Sequence, residues 1–183
     1  MKRTLIIHPE DKSTLFLTQI YESIKKKSII KGNITKDELR IIIPGYDRII
    51  MCGHGTPMGL MSVGQFGADT RGYIIDESFV PVLRGKECIF IWCNSDRFVE
   101  FHKLKGFYTG MFVSEYGEAD YCGIRYVKKG QVEESNGAFA AIMKTHINKS
   151  PKVILKSVLR SYGVLGEVNP VAAYNNSRLY LSE

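Results

Sequence analysis

Apolar residues along this chain fall into short unbroken runs, separated by stretches in which they recur every three to four positions. The runs at 3–7, 48–52 and 88–92 (Arg-Thr-Leu-Ile-Ile, Arg-Ile-Ile-Met-Cys and Cys-Ile-Phe-Ile-Trp) are rich in β-branched and aromatic residues. Each has the length of a strand and is too short for a helix, so the pattern predicts buried strands. Between the first two runs, Phe16, Ile20 and Ile24, with Leu17 and Tyr21, form one apolar stripe. That stripe predicts a helix over 13–26, and Lys25, Lys26 and Lys27 suit the negative end of its dipole. A strand over 28–31 and a turn at Gly32-Asn33 follow. Thr35 with Glu38 has the capping-box form, predicting a helix to about residue 42 that Pro44-Gly45 stops.

Residues 55–75 are rich in glycine (Gly55, Gly59, Gly64, Gly67 and Gly72). Two strand-like pieces, 60–63 and 73–75, are expected to pair as a hairpin. The stretch lacks the Gly-Lys-Ser/Thr ending of a phosphate loop and leads into no helix, so it reads as a surface excursion and part of a substrate-binding rim. Further along, the pattern predicts a helix over 76–84 capped by Asp76, a short helix over 99–105 and a strand over 110–114. Helices are expected over 136–147 and from Pro151 to Gly163, with a last strand over 178–181. Strands alternating with helices predict an α/β fold with a mostly parallel central sheet covered on both faces. No repeat or linker breaks the chain, so 1–183 is read as a single domain.

Composition adds limits. The chain has 183 residues, enough for one sizeable core, and 44% hydrophobic with 24% charged residues argues against disorder. No apolar run reaches the roughly 18 residues of a membrane span. The basic start at Lys2-Arg3 leads into an apolar stretch that ends at His8-Pro9-Glu10. That stretch is shorter than the roughly 7–15 residues of a signal peptide's apolar region, so a cytoplasmic protein without a membrane partner is expected. The net charge of +6 is concentrated at Lys25, Lys26 and Lys27, at Lys128-Lys129 and at Lys149 and Lys152. Without interleaved aromatics, these lysines read as solvated helix ends and argue against a nucleic-acid partner. Cys52, Cys88, Cys93 and Cys122 form no C-x-x-C pair and have no zinc-type spacing with His8, His54, His102 or His146. Neither a metal site nor a disulfide framework is expected.

Two runs end on chemistry. The 48–52 strand leads into Gly53-His54-Gly55, and the 88–92 strand into Cys93-Asn94-Ser95-Asp96. As neighbouring parallel strands they would bring His54 and Cys93 to the same sheet edge, where open α/β sheets hold their sites. A cysteine alone is more often a buried structural thiol, and a histidine in a turn is more often bonded to backbone. Together, in this order, they suggest a nucleophile and its proton-transfer partner. A phosphatase is excluded because it needs an arginine six positions after the cysteine, where Val99 stands. No Gly-x-Ser-x-Gly elbow occurs, and no glycine-rich strand-to-helix fingerprint supports a nucleotide binder.

A strand ending in His-Gly, a crossover with a helix, then a strand ending in Cys resembles the caspase-like (clan CD) cysteine peptidases. That group includes caspases, metacaspases, gingipains, clostripain-like enzymes and CHAT domains. Cys93-Asn94-Ser95 is most similar to CHAT domains and metacaspases, while the caspase form Gln-Ala-Cys-x-Gly is absent. The resemblance runs from residue 1 to about 120. It implies a three-layer caspase-like sandwich and a cysteine endopeptidase that needs no cofactor. Cys93 would attack the peptide carbonyl, and His54 would protonate the leaving amine. The backbone N–H groups of Gly55 and Cys93 would form the oxyanion hole, the glycine letting substrate approach closely. The resemblance also places a substrate pocket near the ends of the first strand and of strands around the cysteine. Glu10, Asp11, Asp96, Glu115, Glu118 and Asp120 lie there, favouring a basic residue before the scissile bond.

The short segment after Cys93 implies activity as a single uncut chain. Expected partners are a peptide or protein substrate and a regulatory protein, with the chain a monomer or a homodimer paired through an edge strand. The competing reading is a catalytically inactive caspase-like scaffold that acts as an interaction or signalling module. A catalytic Cys93 is expected to be exposed with a depressed pKa, and to alkylate faster than Cys52, Cys88 and Cys122.

Overall fold

The unbroken apolar runs become the interior of one sheet. The computed structural model describes residues 2–66 and 72–183, so Gly67 and the rest of 67–71 lie outside the described residues. In chain order the strands are β1 (Thr4–Ile7), β2 (Lys27–Ile30), β3 (Arg48–Cys52), β4 (Gly55–Thr56), β5 (Gly59–Met61), β6 (Tyr73–Ile75), β7 (Glu87–Ile91), β8 (Gly106–Thr109) and β9 (Leu179–Ser182). Six of them form the central sheet in the order β2-β1-β3-β7-β8-β9. The first five are parallel, and β9 pairs antiparallel with β8. A small antiparallel sheet, β4-β5-β6, stands beside it.

The helices are α1 (Thr18–Tyr21), α2 (Lys36–Ile42), α3 (Val80–Leu83), α4 (Ser95–Phe101), α5 (Tyr116–Tyr121), α6 (Lys129–His146), α7 (Pro151–Gly166) and α8 (Pro170–Asn176). Successive side chains of a strand point to opposite faces, and here both faces are covered. Leu5, Ile7, Ile49, Met51, Phe90 and Trp92 pack with Leu39 of α2, Leu83 of α3 and Phe98 of α4. Ile6, Ile50, Ile89, Ile91 and Phe107 pack on the other face with Ile20 and Tyr21 of α1, Phe139 and Met143 of α6, and Val158 of α7. The result is a three-layer α/β sandwich with a mostly parallel central sheet. No helix among the described residues is long and apolar enough to cross a membrane.

Local chemistry explains where the elements depart from the pattern. The helix expected over 13–26 is one 3-10 turn, Leu15–Leu17, followed by the short α1. Asp11 takes its first residues into a turn, its Oδ1 accepting from the Ser13 and Thr14 N–H groups. Lys27 ends it, its Nζ donating to the Glu22 and Ile24 carbonyls. The capping box at Thr35 and Glu38 is present, and Asp76 caps its helix by accepting from Ser78 N–H.

The strand expected over 110–114 lies earlier, at β8. Gly106 sits opposite Cys88, where an added Cβ would lie 2.1 Å from the Cys88 carbonyl oxygen, and only its backbone freedom allows that register. The apolar Phe112 and Val113 are buried as loop residues instead. The helix expected over 99–105 is α4, which starts directly after Asn94. α6 begins well before residue 136, with Gln131 accepting from Lys128 N–H at 2.9 Å; α5 and α8 were not anticipated.

Candidate active site

Backbone geometry delivers the two chemical side chains to one edge. Cys52 at the end of β3 pairs with Ile91 at the end of β7. Gly53 N–H continues the ladder to the Ile91 carbonyl at 3.0 Å, and at φ 143° the chain then leaves the sheet with His54. Beyond β7 the chain turns sharply into α4. Asn94 takes a left-handed conformation (φ 64°) and donates its N–H to the Gly110 carbonyl at 3.1 Å. Ser95, fully buried, accepts from Thr109 N–H at 3.0 Å and donates to the Thr109 carbonyl at 2.6 Å, so the turn that carries Cys93 is bolted to β8.

His54 and Cys93 line the same cavity, of about 20 Å³, walled by Phe16, Leu17, Trp92 and Phe112. The Cys93 thiol donates to the Phe112 carbonyl at 3.3 Å. Among the described residues it makes no hydrogen bond with His54. Burial pushes the Cys93 thiol up to about 12. Buried Cys88 is also pushed up to about 12, and buried Cys52 is raised further. The expectation of an exposed thiol with a depressed pKa is therefore corrected. Cys93 is half-buried and holds its proton at neutral pH, because the walls around it remove water and offer no cation.

His54 is held by a network that the sequence pattern did not reveal. Its Nε2 lies 2.7 Å from Ser13 Oγ and 3.1 Å from Asp11 Oδ2. Ser13 Oγ spends its only proton on Asp11 Oδ1 at 2.9 Å, so toward the imidazole it accepts. Both neighbours of Nε2 are then acceptors, which assigns the proton to Nε2 and leaves Nδ1 as a free base. Burial pushes the Asp11 carboxyl up, but hydrogen bonds from Ser13 and Thr14 and the charge of His54 outweigh it and hold Asp11 below its ordinary value. Asp11 thus stays a carboxylate that orients the ring.

Of the two residues whose backbone donors were expected to form the oxyanion hole, Cys93 lines the cavity, and Gly55 follows His54 without lining it. Among the described residues, Cys93 N–H donates to no acceptor. The His54 carbonyl accepts from Met61 N–H at 2.9 Å, so the next position, Gly55 opposite Leu60, is a pair that exchanges no hydrogen bonds and turns its N–H away from β5. Gly55 has a steric reason to be glycine besides substrate approach. An added Cβ would lie 2.1 Å from the Trp92 ring, whose Nε1 donates to the Thr56 carbonyl at 3.2 Å.

The acidic residues divide. Asp11 and Glu115 line a groove of about 860 Å³ next to the thiol cavity, and Ser114 and Phe16 belong to both hollows. Glu10 is paired with Lys31 at 2.7 Å and lines neither hollow. Asp96 lies in the first turn of α4 and Asp120 is exposed on α5, also outside both. Glu118 caps α5 instead, its Oε2 accepting from the Ser114 and Glu115 N–H groups. Compared with family models, with curated proteins and with solved structures, the chain matches none.

Proposed function

We propose that this protein is a caspase-like cysteine endopeptidase acting through Cys93 and His54. The observation that carries the reading is that both side chains, from the ends of adjacent parallel strands, line one cavity while Asp11 and Ser13 leave His54 Nδ1 free. A substrate carbonyl entering the cavity is attacked by Cys93 Sγ as Nδ1 takes the thiol proton. Because that thiol is protonated at rest, proton transfer accompanies attack. The oxyanion meets the N–H groups of Cys93 and Gly55. His54 returns its proton to the leaving amine, and water, activated by the same nitrogen, releases the acyl group from sulfur. The uncut chain carries every group this sequence of steps uses. A cytoplasmic setting belongs to the proposal and suits four free thiols.

One observation favours the second reading, an inactive scaffold. Cys93 bonds to Phe112 rather than His54, and burial raises its thiol as it raises that of Cys88. On this reading β2 serves as a pairing edge, with Ile29 exposed. Site-resolved mass spectrometry separates the two. An active dyad reacts slowly with iodoacetamide at neutral pH but rapidly with peptidyl acyloxymethyl ketones at Cys93, and His54→Ala abolishes the fast reaction. Equal, slow labelling of Cys93 and Cys88 by both reagents would sink the peptidase reading.

A further inference from the structure

Parallel strands share a direction, so the residues just before them gather at the sheet edge opposite the one that carries Cys93 and His54. Cations dominate that opposite edge. Arg3 precedes β1, Lys25 and Lys26 precede β2, and Lys103 and Lys105 precede β8. Lys149, just before α7, joins them, since its carbonyl accepts at 2.6 Å from Nη2 of Arg48, the first residue of β3. All of them are exposed, and none takes part in an ion pair among the described residues. Carboxylates on this edge are engaged. Glu22 pairs with Lys144, Glu87 with Lys2 and Arg48, and Glu183 with Lys152. Asp47 and Glu100 accept from the Arg3 N–H and the Tyr108 hydroxyl. Of the lysines at 25–27, only Lys27 behaves as a helix-end residue, with Nζ on the Glu22 and Ile24 carbonyls. Two hollows open between these cations. One, of about 480 Å³, is lined by Lys2, Thr4, Ser23 and Lys25, and the other, of about 430 Å³, by Arg3, Lys26, Lys27 and Ser28. No carboxylate among the described residues lines either hollow. Ser28 Oγ accepts from the Tyr46 hydroxyl at 2.8 Å, which leaves its own O–H to donate.

We propose that this edge binds the phosphate backbone of duplex DNA without reading its sequence. Lysine, arginine and hydroxyl donors are the groups that hold phosphates, and they fix a protein on a duplex without distinguishing bases. Breadth favours a duplex over a single strand. With neighbouring strands about 4.8 Å apart, β2 to β8 spread the cations over roughly 19 Å, and Lys149 extends them onto the helix layer. Duplex DNA carries one charge per about 1.7 Å of axis, so a face of that width meets on the order of ten phosphates. A single strand is held by successive exposed rings, whereas Phe101 is the one exposed ring near this edge among the described residues. A bilayer is gripped through a contiguous apolar face, and the exposed Ile41 and Phe101 stand on different helices, α2 and α4. DNA on this edge leaves the Cys93 cavity open at the other, and the inference does not depend on the peptidase reading.

The test is fluorescence anisotropy of the full chain with a labelled random-sequence DNA duplex of about 20 base pairs, titrated at several salt concentrations. Binding is expected at low salt and is expected to weaken as salt rises. K25Q/K26Q/K105Q is expected to bind about tenfold more weakly or worse, and to reduce the slope of log affinity against log salt by about 3, because each lost phosphate contact removes about 0.9. R125Q/K128Q/K129Q removes the same charge near the other edge and is expected to bind as wild type does. Equal weakening in the two variants, or no binding to the duplex at low salt, would overturn the assignment. Tighter binding to a single strand of the same length, or to phosphatidylserine-rich vesicles, would overturn it as well. NMR adds a measurement that needs no variant. The duplex is expected to shift the amides of 2–3, 25–28 and 103–105 and to leave those of 54 and 93 in place. Shifts centred on 54 and 93 would count against this edge.

Discussion

At the scale of single residues, the candidate chemistry turns on which nitrogen of His54 carries the proton. Asp11 Oδ1 is used up by Ser13 and Thr14, so Oδ2 is the atom that faces Nε2. Asp11→Asn keeps the turn through Oδ1 and places an amide NH₂ against Nε2. The NH₂ donates, favouring the tautomer with its proton on Nδ1 and removing the free base. Labelling of Cys93 by a peptidyl probe is expected to fall about tenfold or more, with little change in thermal stability. Imidazole ¹⁵N shifts report the tautomer directly, and an unchanged ring in the variant would remove Asp11 from its orienting role. His54 and Cys93 were legible in the sequence because each follows an unbroken apolar run, and runs of that kind reveal where a strand ends. Asp11 was visible only as one of several carboxylates. Its role depends on a turn bringing it to a residue 43 positions away, which no local pattern encodes. The raised thiol pKa was equally hidden, since burial of Cys93 is set by Phe16 and Leu17 of the 3-10 turn and by Phe112 of a loop distant along the chain.

Among elements, local signals were readable where caps or unbroken runs marked them, as at α2 and β3. They failed where the sheet register decided, as at β8, and where short polar-faced helices were stabilised by distant groups. α8 is such a helix. Asn169 caps it, accepting from the Val171 and Ala172 N–H groups at 3.0 and 3.1 Å. Asn175, fully buried near its end, pairs with both backbone groups of Val113: it accepts from the N–H at 2.8 Å and donates to the carbonyl at 2.9 Å. Val113 lies in the loop whose neighbours Phe112 and Ser114 wall the thiol cavity. The unanticipated helix therefore holds the site's wall in place. Asn175→Ala leaves two buried backbone groups without partners and is expected to cost about 2–5 kcal/mol. Urea denaturation measures the cost, and hydrogen exchange at the Val113 amide is expected to rise by more than exchange in β3. Equal acceleration at both would assign Asn175 to global stability alone.

Over the whole molecule, one buried group couples the fold to pH. His8 follows β1 at the sheet edge that carries the site, fully buried, with Nδ1 2.9 Å from the Tyr21 hydroxyl and Nε2 without a partner among the described residues. Burial lowers its pKa from 6.5 to about 4; Glu10 and Asp11 pull it upward and Lys31 pushes it down, but the loss of water dominates. The unfolded chain then binds a proton between pH 6.5 and about 4 that the folded chain refuses. Stability is fully present above about 6.5 and is lost as pH falls through that window, by roughly 3 kcal/mol for the full shift. Carboxylates titrate over part of the same range, so the test is a difference. Asparagine can keep a polar atom near the position of Nδ1 for Tyr21 and cannot be charged. Between pH 7 and pH 4.5, wild type is expected to lose about 2–3 kcal/mol more stability than His8→Asn, measured from urea midpoints at constant slope. Because His8 lies between β1 and the turn that carries Asp11 and Ser13, protonating it strains the segment that orients His54. Probe labelling of Cys93 in wild type should therefore decline on the acid side more steeply than in His8→Asn, and parallel profiles for the two proteins would confine His8 to stability.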